Sequence, residues 1–270
     1  MKTYVIAEAG STWWPHRENI DRLIAIAQEA GASAFKLQWT SDGEKLAARR
    51  HAPELAAMYT RYLQWPKSWH AEIKTACEAA RLDYLCTVCL SEDIAVIVPY
   101  VSRFKISSFD ASDEIFYRAC RRFQKPLIIS TGMMEAQEAR NMLEYLEEDD
   151  AALLCTSAYP CPIDQVNLNI LRNWDWAKGD GRFLIGLGLS DHTAHLLTGA
   201  FAVCCGAEII EVHVRLDDTP PENPDYGHSL SPEQLKEYIL NIRIAEMMLG
   251  DGIKKVMPCE QNMLKYRVKN

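Results

Sequence analysis

The chain has 270 residues, 48% of them hydrophobic and 24% charged, with a formal net charge of −8. That length gives room for a substantial core in one large domain or two small ones. The acidic balance excludes a broad nucleic-acid surface, and no apolar run approaches the roughly 18 residues of a membrane span.

Eight short apolar runs read as strands, at 4–9, 34–39, 84–89, 103–108, 126–131, 151–157, 183–189 and 208–216. Segments of helical period lie between them. The first, 19–30, repeats apolar residues at Ile20, Leu23, Ile24 and Ala27 and stops at Gly31. Others cover 68–81, 112–123, 136–146, 194–205 and 232–249. The last starts at Ser231 with Glu233 and Gln234 behind it and stops at Gly250, a good helix start and end. Strand and helix alternating eight times indicate parallel βα units, and the count and length fit an α/β protein of the (β/α)8 TIM barrel type in a single domain, 1–270. A doubly wound open sheet is the structural alternative. No GxGxxG follows the first strand, which argues against a dinucleotide fold.

Two connections are long. Residues 40–66 have room for an extra helix, and 217–230 form a loop rich in Pro, Asp and Gly after the eighth strand. Loops of that length are usually functional or disordered. Nine cysteines without paired metal spacing read as reduced residues. Cys86, Cys155 and Cys204 fall in apolar runs and are expected in the core. Tyr4 to Ala7 open the chain with no basic or long apolar leader, so a cytoplasmic protein is expected.

The eighth strand carries the strongest signal. Side chains alternate faces along a strand. Ile210, Val212 and Val214 therefore face the helices, whereas Ile209, Glu211 and His213 face inward. A buried carboxylate and imidazole need partners. The preceding strand ends at Ser190, Asp191 and His192, which places two histidines at adjacent strand ends. Active sites of such barrels lie at the C-terminal strand ends, and polar residues gather at all eight. Lys36 and Lys105, with Thr87, Ser108 and Ser130, resemble an anion site of point charges and short hydroxyls. His192 and His213 resemble metal ligands that leave positions open for water or substrate; a pair of hydrogen-bonded core histidines is the plainer alternative. Imidazole alone does not choose the metal. Glu8, Asp110, Glu211 and Asp225 are candidates for hydroxyl binding and proton transfer. Trp13 and Trp14 suit either substrate stacking or loop packing.

Read in order, several motifs resemble the sialic acid synthase family. They are Ala-Glu-Ala-Gly at 7–10, Lys-Leu-Gln at 36–38, Lys-Ile-Ser-Ser at 105–108, Ser-Thr-Gly-Met at 130–133 and Cys-Thr-Ser-Ala-Tyr-Pro at 155–160. Leu-Ser-Asp-His-Thr at 189–193, Glu-Val-His at 211–213 and Pro-Asp followed by Ser-Leu-Ser-Pro, within 224–232, complete the set. The resemblance implies condensation of phosphoenolpyruvate with an open-chain N-acetylhexosamine or related aldehyde to a nonulosonic acid. It implies phosphoenolpyruvate binding by Lys36, Thr87, Lys105, Ser108 and Ser130. It implies a divalent metal on His192 and His213, Mn2+ first, with Mg2+ or Co2+ as alternatives. It places Glu8, Gln38, Asp110, Tyr159, Glu211 and Asp225 around the sugar and the reacting carbons, with Ser157 where the family usually has Asn. Glu8, Glu211 and Asp225 are the catalytic candidates, and a homodimer is implied.

Departures cluster on the sugar side. Ser11 to Pro15 replace an Asn-His-Asn-Gly loop, Phe109 replaces a Gly, and Tyr226-Gly227 replaces His-Lys. The chain reaches Asn270 without the C-terminal antifreeze-like domain of most members, so an acceptor other than N-acetylmannosamine, or a partner chain completing the pocket, is expected. A metal-dependent aldolase or phosphosugar isomerase, and a non-catalytic sugar-binding relative, are the alternative functions.

Overall fold

The alternation of inward and outward residues closes the sheet on itself. A computed structural model describes residues 2–173 and 186–268. The strands are β1 (Tyr4–Glu8), β2 (Ala34–Trp39), β3 (Asp83–Val88), β4 (Phe104–Ile106), β5 (Leu127–Ser130), β6 (Ala151–Cys155), β7 (Gly186–Asp191) and β8 (Ile209–His213). All pair in parallel in chain order, and β8 returns to β1, closing the barrel. This is the expected (β/α)8 barrel. Of the seventh expected run, 183–185 lie outside the described residues.

The helices are α1 (Glu18–Ala30), α2 (Gly43–Arg49), α3 (Ala56–Tyr62), α4 (Trp69–Ala79), α5 (Ile94–Ile97), α6 (Glu114–Arg121), α7 (Ala136–Leu143), α8 (Asn169–Arg172), α9 (Thr198–Cys204) and α10 (Pro232–Leu249). Helix α1 ends where Gly31 takes φ 84° and returns its N–H to the Gln28 carbonyl. Helix α10 starts on a capping box in which Ser231 and Gln234 satisfy each other's N–H groups. The 40–66 connection holds two helices, α2 and α3, rather than one. The 194–205 helix is shorter than its pattern, because Ala194 sits at φ 54° and the chain turns before Thr198.

Two layers share the strands. Phe35, Leu37, Phe104, Ile106, Ile210, Val212 and Val214 pack outward in the main core under the helices. Ile6, Ala34, Leu85, Ile128, Ala151, Leu153 and Ile209 fill the barrel interior. Each inward row is two residues apart along its strand, so the next inward positions above this plug include Glu8, Lys36, Thr87, Ser130 and Glu211. The sheet register aligns them, with Glu8 opposite both Lys36 and His213 and Thr87 opposite both Gln38 and Lys105. All nine cysteines are free, and six are buried. Cys86 and Cys155 lie in the core as expected, but Cys204 is exposed on α9. No helix among the described residues is long and apolar enough to cross a membrane.

Candidate active site

A cavity of about 310 Å³ opens at the C-terminal ends of the strands. Its floor is an ion network. Lys36 Nζ lies 2.8 Å from Glu8 Oε1 and 3.4 Å from Glu211 Oε2, and it donates to Thr87 Oγ1 at 3.0 Å. Lys105 Nζ lies 3.2 Å from Glu211 Oε1 and donates to Ser130 Oγ at 2.8 Å. Glu211 thus bridges the two lysines, held in place by the Ser190 hydroxyl at 2.8 Å. All four charged side chains are 3% exposed or less. Two cations and two carboxylates cancel, which is how such charges remain buried. Burial pushes the carboxyls of Glu8 and Glu211 up. The lysine charges outweigh it, with His213 adding to them at Glu8, and hold both below the usual carboxylate range. Burial pushes Lys36 down, yet Glu211 and Glu8 hold it above its ordinary value.

Histidines from β8, the loop after β7 and the loop after β8 form one wall. His213 Nε2 is 3.3 Å from Glu8 Oε2, and its ring centroid lies 5.5 Å from that of His192 and 4.5 Å from that of His228. His192 donates from Nδ1 to the Thr156 carbonyl at 3.0 Å, leaving Nε2 free. Burial lowers His192, but the Cys155 thiol 3.8 Å away and that carbonyl raise it to about 9. Burial pushes the Cys155 thiol up, and the bond to His192 outweighs this and lowers it. Burial lowers His213 despite Glu8, and it lowers His228 to about 2, helped by the charges of His213 and His192. Asp225 Oδ2 accepts the Ser11 N–H at 2.6 Å.

The outer arm comes from the 40–66 connection. Leu55, Met58, Tyr59, Tyr62 and Leu63 line it together with Phe109 and Arg50. The Arg50 guanidinium lies 5.3 Å from the Tyr59 ring centroid and 5.0 Å from that of Phe109, and donates to Asp110 Oδ2 at 2.8 Å. Such stacking keeps a cation over apolar walls.

The NeuB family profile matches residues 23–254, most of the chain. The chain belongs to the NeuB family. It is 32% identical to the uncharacterized protein MJ1065 of Methanocaldococcus jannaschii over 97% of this chain and 76% of that one. It is 30% identical to the pseudaminic acid synthase of Campylobacter jejuni over 99% of this chain and 80% of that one. Its fold matches a crystal structure of the N-acetylneuraminic acid synthetase of Leptospira borgpetersenii in complex with citrate. The TM-score there is 0.87, at 24% identity, over 99% of this chain and 92% of that one. NeuB members are phosphoenolpyruvate-dependent transferases that build nonulosonic acids, and this chain is an enzyme of that class.

On the NeuB barrel, Glu8, Lys36, Gln38, Thr87, Lys105, Ser108, Ser130, Tyr159, His192, Glu211, His213 and Asp225 all line the cavity. Gln38 donates to Glu8 Oε1 at 2.6 Å, and Ser108 Oγ accepts the Gly132 N–H at 3.0 Å. Asp110 and Ser157 do not line it. Asp110 is fully buried and spent on Arg49, Arg50 and the Ser107 hydroxyl, because two partly buried guanidiniums from the end of α2 need a carboxylate. Ser157 sits behind Gly132, its Oγ 3.9 Å from Cys155 Sγ. Trp13 and Trp14 do not stack on the cavity either. Trp13 packs edge-on to Trp69, and Trp14 edge-on to Tyr62. Sequence reasoning missed Arg50, Tyr59, Tyr62, Cys155 and His228. The length of 40–66 was the signal for the first three. His228 lies in the short turn Tyr226–His228, where no strand or helix period indicates which way a side chain points.

Proposed function

We propose that this chain joins the methylene carbon of phosphoenolpyruvate to the aldehyde carbon of an open-chain amino sugar or related acceptor, releasing phosphate. What supports it most is the convergence of Lys36 and Lys105 through Glu211 on a floor of hydroxyls. In this reading the two lysines turn from Glu211 to the phosphate and carboxylate of the substrate, and Thr87, Ser108 and Ser130 donate short bonds to it. The new carbon–carbon bond turns the aldehyde oxygen into an alkoxide, which takes a proton to become a hydroxyl. Water adds to the former enol carbon, the carbon–oxygen bond to phosphate breaks, and a ketone remains. Losing their lysine cations to the substrate leaves Glu211 with the Ser190 hydroxyl and Glu8 with Gln38 and His213, but neither with the cation that offset its burial. Their proton affinity then rises, which suits either to take the proton of that water. A Schiff-base aldolase is disfavoured, because Lys36 is held charged rather than neutral.

The residues present fit a divalent metal. His213 Nδ1 is buried with no hydrogen-bond partner, and His192 is oriented through its Nδ1 by a backbone carbonyl, the support expected of a ligating imidazole. Both would hold the ion, and ligation would strip the extra proton from His192. When bound, a divalent metal supplies Lewis-acid polarisation of a carbonyl oxygen. The apolar arm around Phe109, Tyr59 and Met58, with one guanidinium, fits an acceptor less hydroxylated than N-acetylmannosamine.

The test is phosphate release from phosphoenolpyruvate with a divalent metal and a panel of amino-sugar aldehydes, the product read by mass spectrometry. A keto acid carrying both carbon skeletons supports the proposal. Phosphate release without such a product, or none with any aldehyde and metal, refutes it. Turnover of N-acetylmannosamine with kcat/KM on the order of 10⁴ M⁻¹s⁻¹ or more refutes the acceptor reading.

A further inference from the structure

The loop after β8 turns tightly through Tyr226–His228, which carries His228 back over Asp225. His228 is 1% exposed, and neither of its ring nitrogens has a hydrogen-bond partner. A buried imidazole with both nitrogens unsatisfied calls for an explanation. One ligand atom each of His213, Asp225 and His228 lies within 4.8 Å of the other two. Between Asp225 Oδ1 and His228 Nε2 the gap is 3.5 Å, with no hydrogen bond formed across it. The opposite carboxylate oxygen is anchored by Ser11, and the Ser229 hydroxyl donates to the Asp225 carbonyl at 2.6 Å. The carboxylate and the imidazole are thus preset rather than loose.

We infer that His228 is a third imidazole ligand of the metal, closing with Asp225 a side of the site that His192 and His213 leave open. The inference rests on the metal reading of the previous subsection. Within 226–228, Tyr226 and Gly227 supply no ligand atom to the group, and His228 does. A site richer in nitrogen has a consequence. Imidazole suits later first-row ions such as Zn2+, whereas carboxylate, carbonyl and water oxygens suit Mg2+ and Mn2+, so His228 should tilt this site toward the later ions.

The test is titration of metal-stripped protein with Co2+, followed by calorimetry and by the visible absorption of the ion, on wild type, His228→Phe and His213→Phe. Wild type should bind one Co2+. His228→Phe should weaken binding at least tenfold and alter the absorption band, while the melting temperature of the stripped protein holds or rises. Should His228→Phe fail to fold, His228→Asn carries the same comparison. Unchanged affinity and spectrum in the His228 variants, with binding lost in His213→Phe, overturn the role of His228 alone. No Co2+ bound by wild type, or none lost in His213→Phe, overturns the metal reading with it.

Discussion

Lys36→Met separates the structural from the functional use of the floor. Methionine keeps the length and volume of lysine but removes the cation shared by Glu8 and Glu211. Glu211 retains Lys105 at 3.2 Å and the Ser190 hydroxyl. Glu8 retains only Gln38 at 2.6 Å and His213 at 3.3 Å. The orphan is therefore Glu8, and removing one partner of a buried pair costs about 3–5 kcal/mol. The bond from Gln38 favours the low end, about 3 kcal/mol, or roughly 6 °C in melting temperature for a chain of this size. In wild type the Glu8 carboxyl is held below its unfolded value, about 4.3. Its contribution is present above that pH and is lost as pH falls through the folded value. In the variant burial dominates and the folded value rises. Its contribution is then present below about 4.3 and lost as pH climbs through the raised value. The stability gap between the two proteins should accordingly be open already at pH 5, where the wild-type contribution is complete, and wider still near pH 8, read by urea unfolding at both. A gap below about 1 kcal/mol at pH 8, or one equal at the two pH values, would refute the reasoning.

Other outcomes follow from the same geometry. A Cβ on Gly10 would stand 2.2 Å from Asp225 Oδ2 and 3.2 Å from His213 Nδ1. Gly10→Ala should therefore weaken metal binding at least tenfold in calorimetry, and unchanged affinity would count against Asp225 and His213 sharing a site. A Cβ on Gly132 would meet Ser157 Oγ at 2.2 Å and Ser108 Oγ at 2.7 Å. Gly132→Ala should raise the KM for phosphoenolpyruvate, and a change confined to the acceptor's KM would argue against Ser108 in the anion site. Lys105→Met should lose calorimetric phosphoenolpyruvate binding; affinity equal to wild type would sink the anion assignment. Chelation of the purified enzyme should abolish phosphate release, with recovery on adding back a divalent ion, and chelator-resistant turnover would remove the metal from the reading.

The barrel was legible because period-two alternation is an energetic requirement: Ile210 and Val212 must face helices if Glu211 and His213 are to face in. Strand ends were less so. Ser107 and Ser108 continue the apolar-polar rhythm of β4, but the strand stops at Ile106, where Ser107 begins a turn closed on Asp110. Asp110 looked functional because its partners, Arg49 and Arg50, lie some sixty residues earlier, and no spacing rule connects them. The floor lysines were legible because a cation inside an apolar strand has few structural uses. His228 and Arg50 lie on irregular chain, where side-chain direction depends on the turn rather than on a period.

The plug of Ile6, Leu85, Ile128, Leu153 and Ile209 makes the cavity a blind well. Among the described residues the sheet is closed all round, so a ligand on the floor is reached through the mouth above it. Lys36 and Lys105 stand directly on the plug, while Arg50 at the end of α2, Tyr59 on α3 and Phe109 on the loop after β4 stand at the rim. A molecule resting on the lysines is then lidded by any second molecule held at the rim. On the reaction proposed above, the deep ligand would load before the shallow one, and phosphate released at the bottom would depart after the larger product has cleared its path.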